Sequence, residues 1–299
     1  MNSGVKGIIL AGGTGSRLYP MTLTVNKQLL PVYDKPMIYY PLSTLMLFDI
    51  TDILIVSTPD DTPNIQALLS DGSHLGLKLQ YAVQEEPRGI AEAFIIGASF
   101  IRNDNVCLIL GDNIFYLGEH INKYIAAIHE HEHALATIFA YHVSNPERFG
   151  VIDFDKNLNV RGIEEKPKRP KSNFVSVGLY FYPSDVVAKA HKLSPSARQE
   201  LEITDLNNLY LQEGRLQALP LLRGNAWLDA GTPDSLLDSS NFVQIIEKRQ
   251  GLKIACLEEI AYKKGFINAQ QFENIIANLA PGHYKDYLNQ VVHSYYELY

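Results

Sequence analysis

A short aliphatic run, Lys6-Gly7-Ile8-Ile9-Leu10, breaks directly into Ala11-Gly12-Gly13-Thr14-Gly15, and two cations follow at Arg17 and Lys27. Such a run reads as a buried strand of a parallel sheet. Glycines at its carboxyl end let backbone N–H groups turn toward an anion, because a side chain would block the approach. Arg17 and Lys27 then supply the fixed positive charge that a polyphosphate needs. Taken alone, the loop is equally a tight turn beside two solvated cations.

The pattern repeats along the chain. Similar runs at Asp52–Ser57, Lys78–Ala82, Val106–Leu110 and Thr137–His142 alternate with segments of helical spacing, among them ones beginning at Pro36 and Pro63 and one over Gly89–Ile101. This rhythm predicts an α/β fold: a Rossmann-like, mostly parallel mixed sheet flanked by helices. After Gly150 the texture is mixed, with a hairpin pattern around Asp155-Lys156-Asn157 and a dense strand at Gly178–Tyr182. Beyond Pro233 the strands thin out and a helical C-terminal segment, 234–299, is expected. Residues 1–233 then form one catalytic-sized unit in two parts, about 1–149 and about 150–233.

Two familiar phosphate loops are excluded. A dinucleotide fingerprint starting at Gly13 would need a third glycine where Leu18 stands, and a P-loop starting at Gly7 would need lysine where Gly13 stands. The formal net charge of −7 argues against a nucleic-acid-coating protein. No apolar stretch approaches a membrane span, and the immediate entry into a strand leaves no room for a signal peptide, so a cytoplasmic location is expected. Cys107 and Cys256 sit in apolar runs and read as core thiols. The basic run Lys166-Pro167-Lys168-Arg169-Pro170-Lys171 needs a local explanation.

Asp112 follows the fourth aliphatic run, at the carboxyl edge of the expected parallel sheet, and Asp229 closes the apolar pair Trp227-Leu228. Either aspartate alone is an ordinary turn residue. Together they can share one Mg²⁺ with triphosphate oxygens, because Mg²⁺ takes few protein ligands.

With these residues in view, the chain resembles the sugar-1-phosphate nucleotidylyltransferases. The carriers are Leu10–Pro20, Asn26–Ser43, Tyr81–Gln84, Gly111–Asn113, Glu164–Pro167, Glu200–Asp205 and Trp227–Asp229, in this order. The resemblance implies a Mg²⁺-dependent transfer of dTMP from dTTP to glucose 1-phosphate, opening dTDP-rhamnose synthesis. It places Leu10, Gly12, Gly13, Thr14, Gly15, Gln84, Gly89 and Asp112 around the nucleotide, and Arg17, Lys27 and Lys166 on phosphates as the catalytic cations. Asp112 and Asp229 would hold Mg²⁺. Gly150, Glu165, Lys166 and Val177 would form the sugar-phosphate pocket, so that only Lys166 of the basic run need point inward. By the same resemblance, 1–149 binds the nucleotide, 150–233 binds the sugar phosphate, and 234–299 serves subunit packing and regulation in a homotetramer built as a dimer of dimers. Neither nucleic acid nor membrane is an expected partner.

The chain departs from the family pattern at four places. Arg88-Gly89-Ile90-Ala91-Glu92-Ala93 stands for Asp-Gly-Leu-Ala-Gln-Ala, and Asn173–Gly178 reads Asn-Phe-Val-Ser-Val-Gly for Asn-Tyr-Ala-Val-Thr-Gly. Gln199 replaces a glycine and Ala230 a threonine. A uridylyl- or cytidylyltransferase would use nearly the same charges, and a silent nucleotide-sugar sensor could share the fold; base choice separates the first, retention of the full charge set the second.

Overall fold

The computed structural model of the protein describes residues 4–13, 15–130 and 134–293. Thr14 and the last residues of the expected C-terminal segment, 294–299, lie outside them. The chain runs β1 (Val5–Leu10), the two-residue strands β2 (Pro31–Val32) and β3 (Lys35–Pro36), α1 (Tyr39–Leu47), β4 (Asp52–Ser57), α2 (Thr62–Leu69), β5 (Lys78–Val83), α3 (Glu92–Ile96), α4 (Ala98–Ile101) and β6 (Asn105–Leu110). It continues through β7 (Asn113–Tyr116), α5 (Ile121–His129), β8 (Ala136–His142), β9 (Gly150–Phe154), β10 (Val160–Glu165), β11 (Phe174–Tyr182), α6 (Val186–Ala190), α7 (Ile203–Gln212), β12 (Leu216–Pro220) and β13 (Ala226–Asp229). Four helices follow: α8 (Pro233–Gln250), α9 (Leu257–Lys263), α10 (Ala269–Asn278) and α11 (His283–His293).

Strands β5, β4, β1 and β6 lie side by side and parallel. β11 pairs antiparallel with β6, and beyond it the sheet forks into β8 with β12 and β9 with β10. The fifth aliphatic run, β8, therefore belongs to the antiparallel portion. Burial on both faces explains the apolar runs of β1, β4 and β6, whereas the edge strand β5 (Lys78-Leu79-Gln80) alternates between exposed and buried residues. Ile8 packs in a layer with Phe94, Leu108 and Tyr182, whereas Ile9 faces Leu42, Ile53 and Phe181, and neither isoleucine reaches solvent.

Three expected helices begin or break differently from the sequence reading. α1 starts at Tyr39, because Lys35–Pro36 pairs with Pro31–Val32 and Met37 N–H donates to the Leu30 carbonyl. α2 starts at Thr62, with Pro63 in its first turn, where a missing N–H costs nothing. The helix expected over Gly89–Ile101 is two, α3 and α4, meeting at Gly97. Its first turn is absent because Leu201 N–H donates to the Arg88 carbonyl and Ala91 N–H donates to the Leu201 carbonyl.

Helices α9, α10 and α11 are part of the main core, while α8 packs through Leu236 and Val243 on a smaller cluster with Leu18, Val32 and Met37. Cys256, Leu257, Ile260, Phe272 and Leu288 share one apolar layer with Leu42 and Leu45 of α1. Reciprocal side-chain caps, Thr232 with Ser235 and Asn268 with Gln271, start α8 and α10. Leu237 and Ile245 stay exposed on α8, while Phe242 meets Tyr116 edge to face. Both cysteines are buried, and burial pushes the Cys107 thiol well up. Among the described residues no helix is long and apolar enough to cross a membrane.

Candidate active site

The carboxyl ends of β1 and β6 begin the site. Gly111 N–H donates to the Leu10 carbonyl at 2.9 Å, which sets the glycine loop beside Asp112. β13 pairs antiparallel with β7, so that Asp229 lies opposite Asn113, and Ala230 N–H donates to the Asp112 carbonyl at 3.0 Å. Two carboxylates from distant segments thereby become neighbours.

Their charges are managed by cations on the glycine-loop side. The Asn26 side chain accepts from Gln28 N–H and starts the short turn carrying Lys27. Lys27 Nζ donates to Asp112 Oδ2 at 2.6 Å, with both side chains largely buried. Burial alone would raise the Asp112 carboxyl, but the Lys27 ammonium, the Asn113 amide and Arg17 more than offset it and hold it below the usual value. Asp229 goes the other way: burial first, and the Asp112 charge second, keep its carboxyl above the usual value despite Arg17 and Lys27. Asn113, missed in the sequence reading, positions Asp112. Its Nδ2 donates to Asp112 Oδ1 at 2.9 Å, while its Oδ1 accepts from Gly178 N–H and Trp227 Nε1–H.

A cavity of about 240 Å³ is lined by Arg17, Asp112 and Asp229 together with Arg148, Gly150, Glu165, Lys166 and Arg198. Glu165 Oε2 accepts from Thr204 Oγ1 at 2.7 Å, and its Oε1 lies 3.5 Å from both Lys166 Nζ and Arg198 Nη2. Lys168, Arg169 and Lys171 are exposed. Arg198 also grips Glu202 at 2.8 Å, and in sequence it reads as one more solvated cation beside an acidic stretch, which is why it was overlooked. Val177 does not face the cavity: side chains alternate along β11, so Val177 is buried in the core layer with Val175 and Leu179, while Ser176, Gly178 and Tyr180 line the cavity.

Gln84, Glu92 and Arg88 form a chain of contacts. Gln84 Nε2 donates to Glu92 Oε2 at 2.7 Å, and Arg88 holds Glu92 Oε1 at 2.7 Å. A carboxylate only accepts, so this bond fixes the Gln84 amide with Oε1 turned away from Glu92. Oε1 faces Gly12, where a Cβ would stand 2.7 Å from it. At Gly89, φ is +102°, and a Cβ would lie 2.5 Å from the Leu201 main chain, so no larger residue fits the pairing described above. Gln199, at the family's glycine position, has φ +62° in an exposed turn. A non-glycine residue there costs about 1 kcal/mol. Gln199→Gly is therefore expected to raise the melting temperature by about 1 to 2 °C without changing activity; an unchanged or lower value would remove that strain from the account.

Parallel strands ending in a glycine loop, two neighbouring carboxylates and a set of cations around one cavity are the features of a nucleotidyltransferase, and residues 6–245 match the nucleotidyl transferase family. The chain is 54% identical to a glucose-1-phosphate thymidylyltransferase of Neisseria meningitidis, over 95% of this chain and 98% of that protein. It is 52% identical to one from Mycolicibacterium smegmatis, over 96% and 99%. The chain belongs to the nucleotidyl transferase family, in its glucose-1-phosphate thymidylyltransferase branch. A crystal structure from Bacillus anthracis, provisionally assigned to the same activity, is similar at a TM-score of 0.74 and 43% identity, covering 80% of this chain and 94% of that one. A UDP-glucose pyrophosphorylase bound to UDP-glucose shares the fold at a TM-score of 0.69 and 22% identity, covering 83% of this chain and all of that one (100%).

Proposed function

We propose that this chain transfers dTMP from dTTP to glucose 1-phosphate, releasing pyrophosphate. The observation that carries the reading is the convergence of Arg17, Asp112, Asp229, Glu165 and Lys166 on one cavity, with Lys27 paired to Asp112 beside it. In the reaction an oxygen of the sugar phosphate forms a bond to the α-phosphorus of dTTP, and the bond from that phosphorus to the bridging oxygen breaks in line. The nucleophile is already an anion near neutral pH, so no strong general base is required. The protein has to bring two anions together and to stabilise the charge that builds on pyrophosphate. Arg17 and Lys27 carry the charge for the triphosphate, and Lys166 carries it for the sugar phosphate. Arg198, held against Glu165, supports the same pocket and orients the Glu165 carboxylate toward sugar hydroxyls.

The donor set suits a hard divalent cation, and we assign Mg²⁺. Buried Asp112 and half-buried Asp229, whose carboxyl is kept above its usual value first by burial and then by the Asp112 charge, are a donor pair of all-oxygen character. Among the described residues no third carboxylate, histidine or cysteine joins them, which leaves the remaining positions to phosphate and water. When bound, the ion neutralises phosphate charge and so helps the two substrates meet.

The orientation of Gln84 supports the choice of base. Its free Oε1 accepts a hydrogen bond, which matches the imide N–H of thymine or uracil and not the bare ring nitrogen of cytosine. Residues 1–149 serve the nucleotide and 150–233 the sugar phosphate. Exposed Leu237 and Ile245 support burial of α8 between subunits of a homotetramer, with residues 234–299 in packing and regulation, and the whole assembly acting in the cytoplasm. Lys166→Ala is expected to raise the KM for glucose 1-phosphate about tenfold or more while leaving that for dTTP within twofold. Steady-state kinetics with each substrate varied in turn checks this; equal rises would make Lys166 a general charge in the site.

A further inference from the structure

We infer that Arg88 and Glu92 act together as a specificity-determining pair: Glu92, held by Arg88, sets which end of the Gln84 amide meets the pyrimidine base. The inference deepens the transferase reading above and rests on it. Glu92 lies in the first turn of α3 with its side chain only 7% exposed. Its two oxygens have separate partners. Oε1 takes both Arg88 bonds, from Nε at 2.8 Å and from Nη2 at 2.7 Å, whereas Oε2 takes the bond from Gln84 Nε2 at 2.7 Å. The Arg88 side chain is exposed, but its main chain is pinned: its N–H donates to the Glu86 carbonyl and its carbonyl accepts from Leu201 N–H.

An amide has one donating end and one accepting end, so whatever Gln84 presents to residue 92, it presents the opposite toward Gly12. Arg88 only donates and a carboxylate only accepts, which leaves Gln84 one orientation. In Glu92→Gln the order reverses. The oxygen of the new amide is claimed by Arg88, its NH2 turns to Gln84, and Gln84 satisfies it by flipping. The flipped amide offers N–H to the base, which suits the bare ring nitrogen of cytosine and opposes the imide N–H of thymine. Adding Arg88→Glu reverses residue 88 as well, with carboxylate oxygens as many bonds from the backbone as Arg88 Nε. That carboxylate accepts from the new amide's NH2, whose oxygen returns to Gln84 and restores its orientation.

The test measures kcat/KM for dTTP and for CTP with glucose 1-phosphate saturating. Glu92→Gln is isosteric and every polar atom keeps a partner, so the fold is retained. The preference for dTTP over CTP is expected to fall about tenfold or more in Glu92→Gln, the worth of one well-placed hydrogen bond, and to return to within about threefold in Arg88→Glu/Glu92→Gln. Because the effect passes through Gln84, Glu92→Gln should shift the preference less than about twofold in a Gln84→Ala background, which a merely structural role would not produce. A preference unchanged in Glu92→Gln, one that Arg88→Glu does not restore, or an equal fall in the Gln84→Ala background overturns the inference while leaving the transferase reading standing. An unaltered protein that prefers CTP overturns the choice of base beneath it, and one that turns over neither nucleotide overturns the transferase reading itself.

Discussion

Lys27→Ala is expected to cut turnover about 100- to 1,000-fold, equivalent to about 3 to 4 kcal/mol of lost transition-state stabilisation. Lys27 is the charge that holds Asp112 ionised in a buried setting, at 2.6 Å. In the proposed reaction it would also face the charge that grows on departing pyrophosphate. Its removal therefore acts twice, by withdrawing a cation from the phosphates and by leaving a buried carboxylate facing Asp229 without its partner. Turnover should be measured with both substrates saturating and well below the variant's melting temperature, so that unfolding does not contribute. A loss smaller than fivefold would remove Lys27 from the transition state and leave it a structural counter-charge.

Asp229→Asn should separate stability from activity. The Asp229 carboxyl is held above its usual value, so its ionised form is disfavoured in the folded protein. Such a group contributes stability that is fully present when it is protonated and is lost as pH rises through its folded value. In metal-free buffer at neutral pH, Asp229→Asn is accordingly expected to melt higher than the unaltered protein. The advantage should shrink as pH falls toward the ordinary carboxylate range, where the unaltered protein protonates Asp229. The asparagine can still accept from Gly231 N–H, the bond now made at 3.1 Å by Asp229 Oδ1. Turnover should fall by two or more orders of magnitude, and added Mg²⁺ should raise the variant's melting temperature less than it raises that of the unaltered protein. A variant that melts lower in metal-free buffer, or one that remains active, would take Asp229 out of the cation site. Strain retained at a functional position and relieved on substitution is the usual trade between stability and activity.

Most of the parallel half of the fold was readable in the sequence because β1, β4 and β6 are buried on both faces. Ile8 and Ile9 each need an apolar layer, and no solvent-facing alternation interrupts the run. The glycine loop and Asp112 stood out because each follows a strong strand signal, whereas Glu165 and Lys166 were singled out by the family resemblance and not by a local signal. What escaped depends on long-range pairing. Leu201 draws Arg88 and Ala91 into main-chain contacts and removes the first turn of an expected helix, and no local pattern near residue 89 announces a partner at 201. Asn113 and Arg198 escaped because their roles are to hold Asp112 and Glu165, which only the folded geometry reveals. The phase of β11 decided the last case. A dense apolar strand carries no polar alternation, so Val177 and Ser176 could not be assigned to faces until the register beside β8 was known.

The most direct measurement is pyrophosphate release by the purified protein with glucose 1-phosphate and Mg²⁺, comparing dTTP, UTP, CTP, ATP and GTP. The account predicts fastest release with dTTP, slower release with UTP, which shares the imide that Gln84 is proposed to read, and little with the other three. Release with CTP or a purine nucleotide ahead of dTTP, or with none of the five, would contradict it.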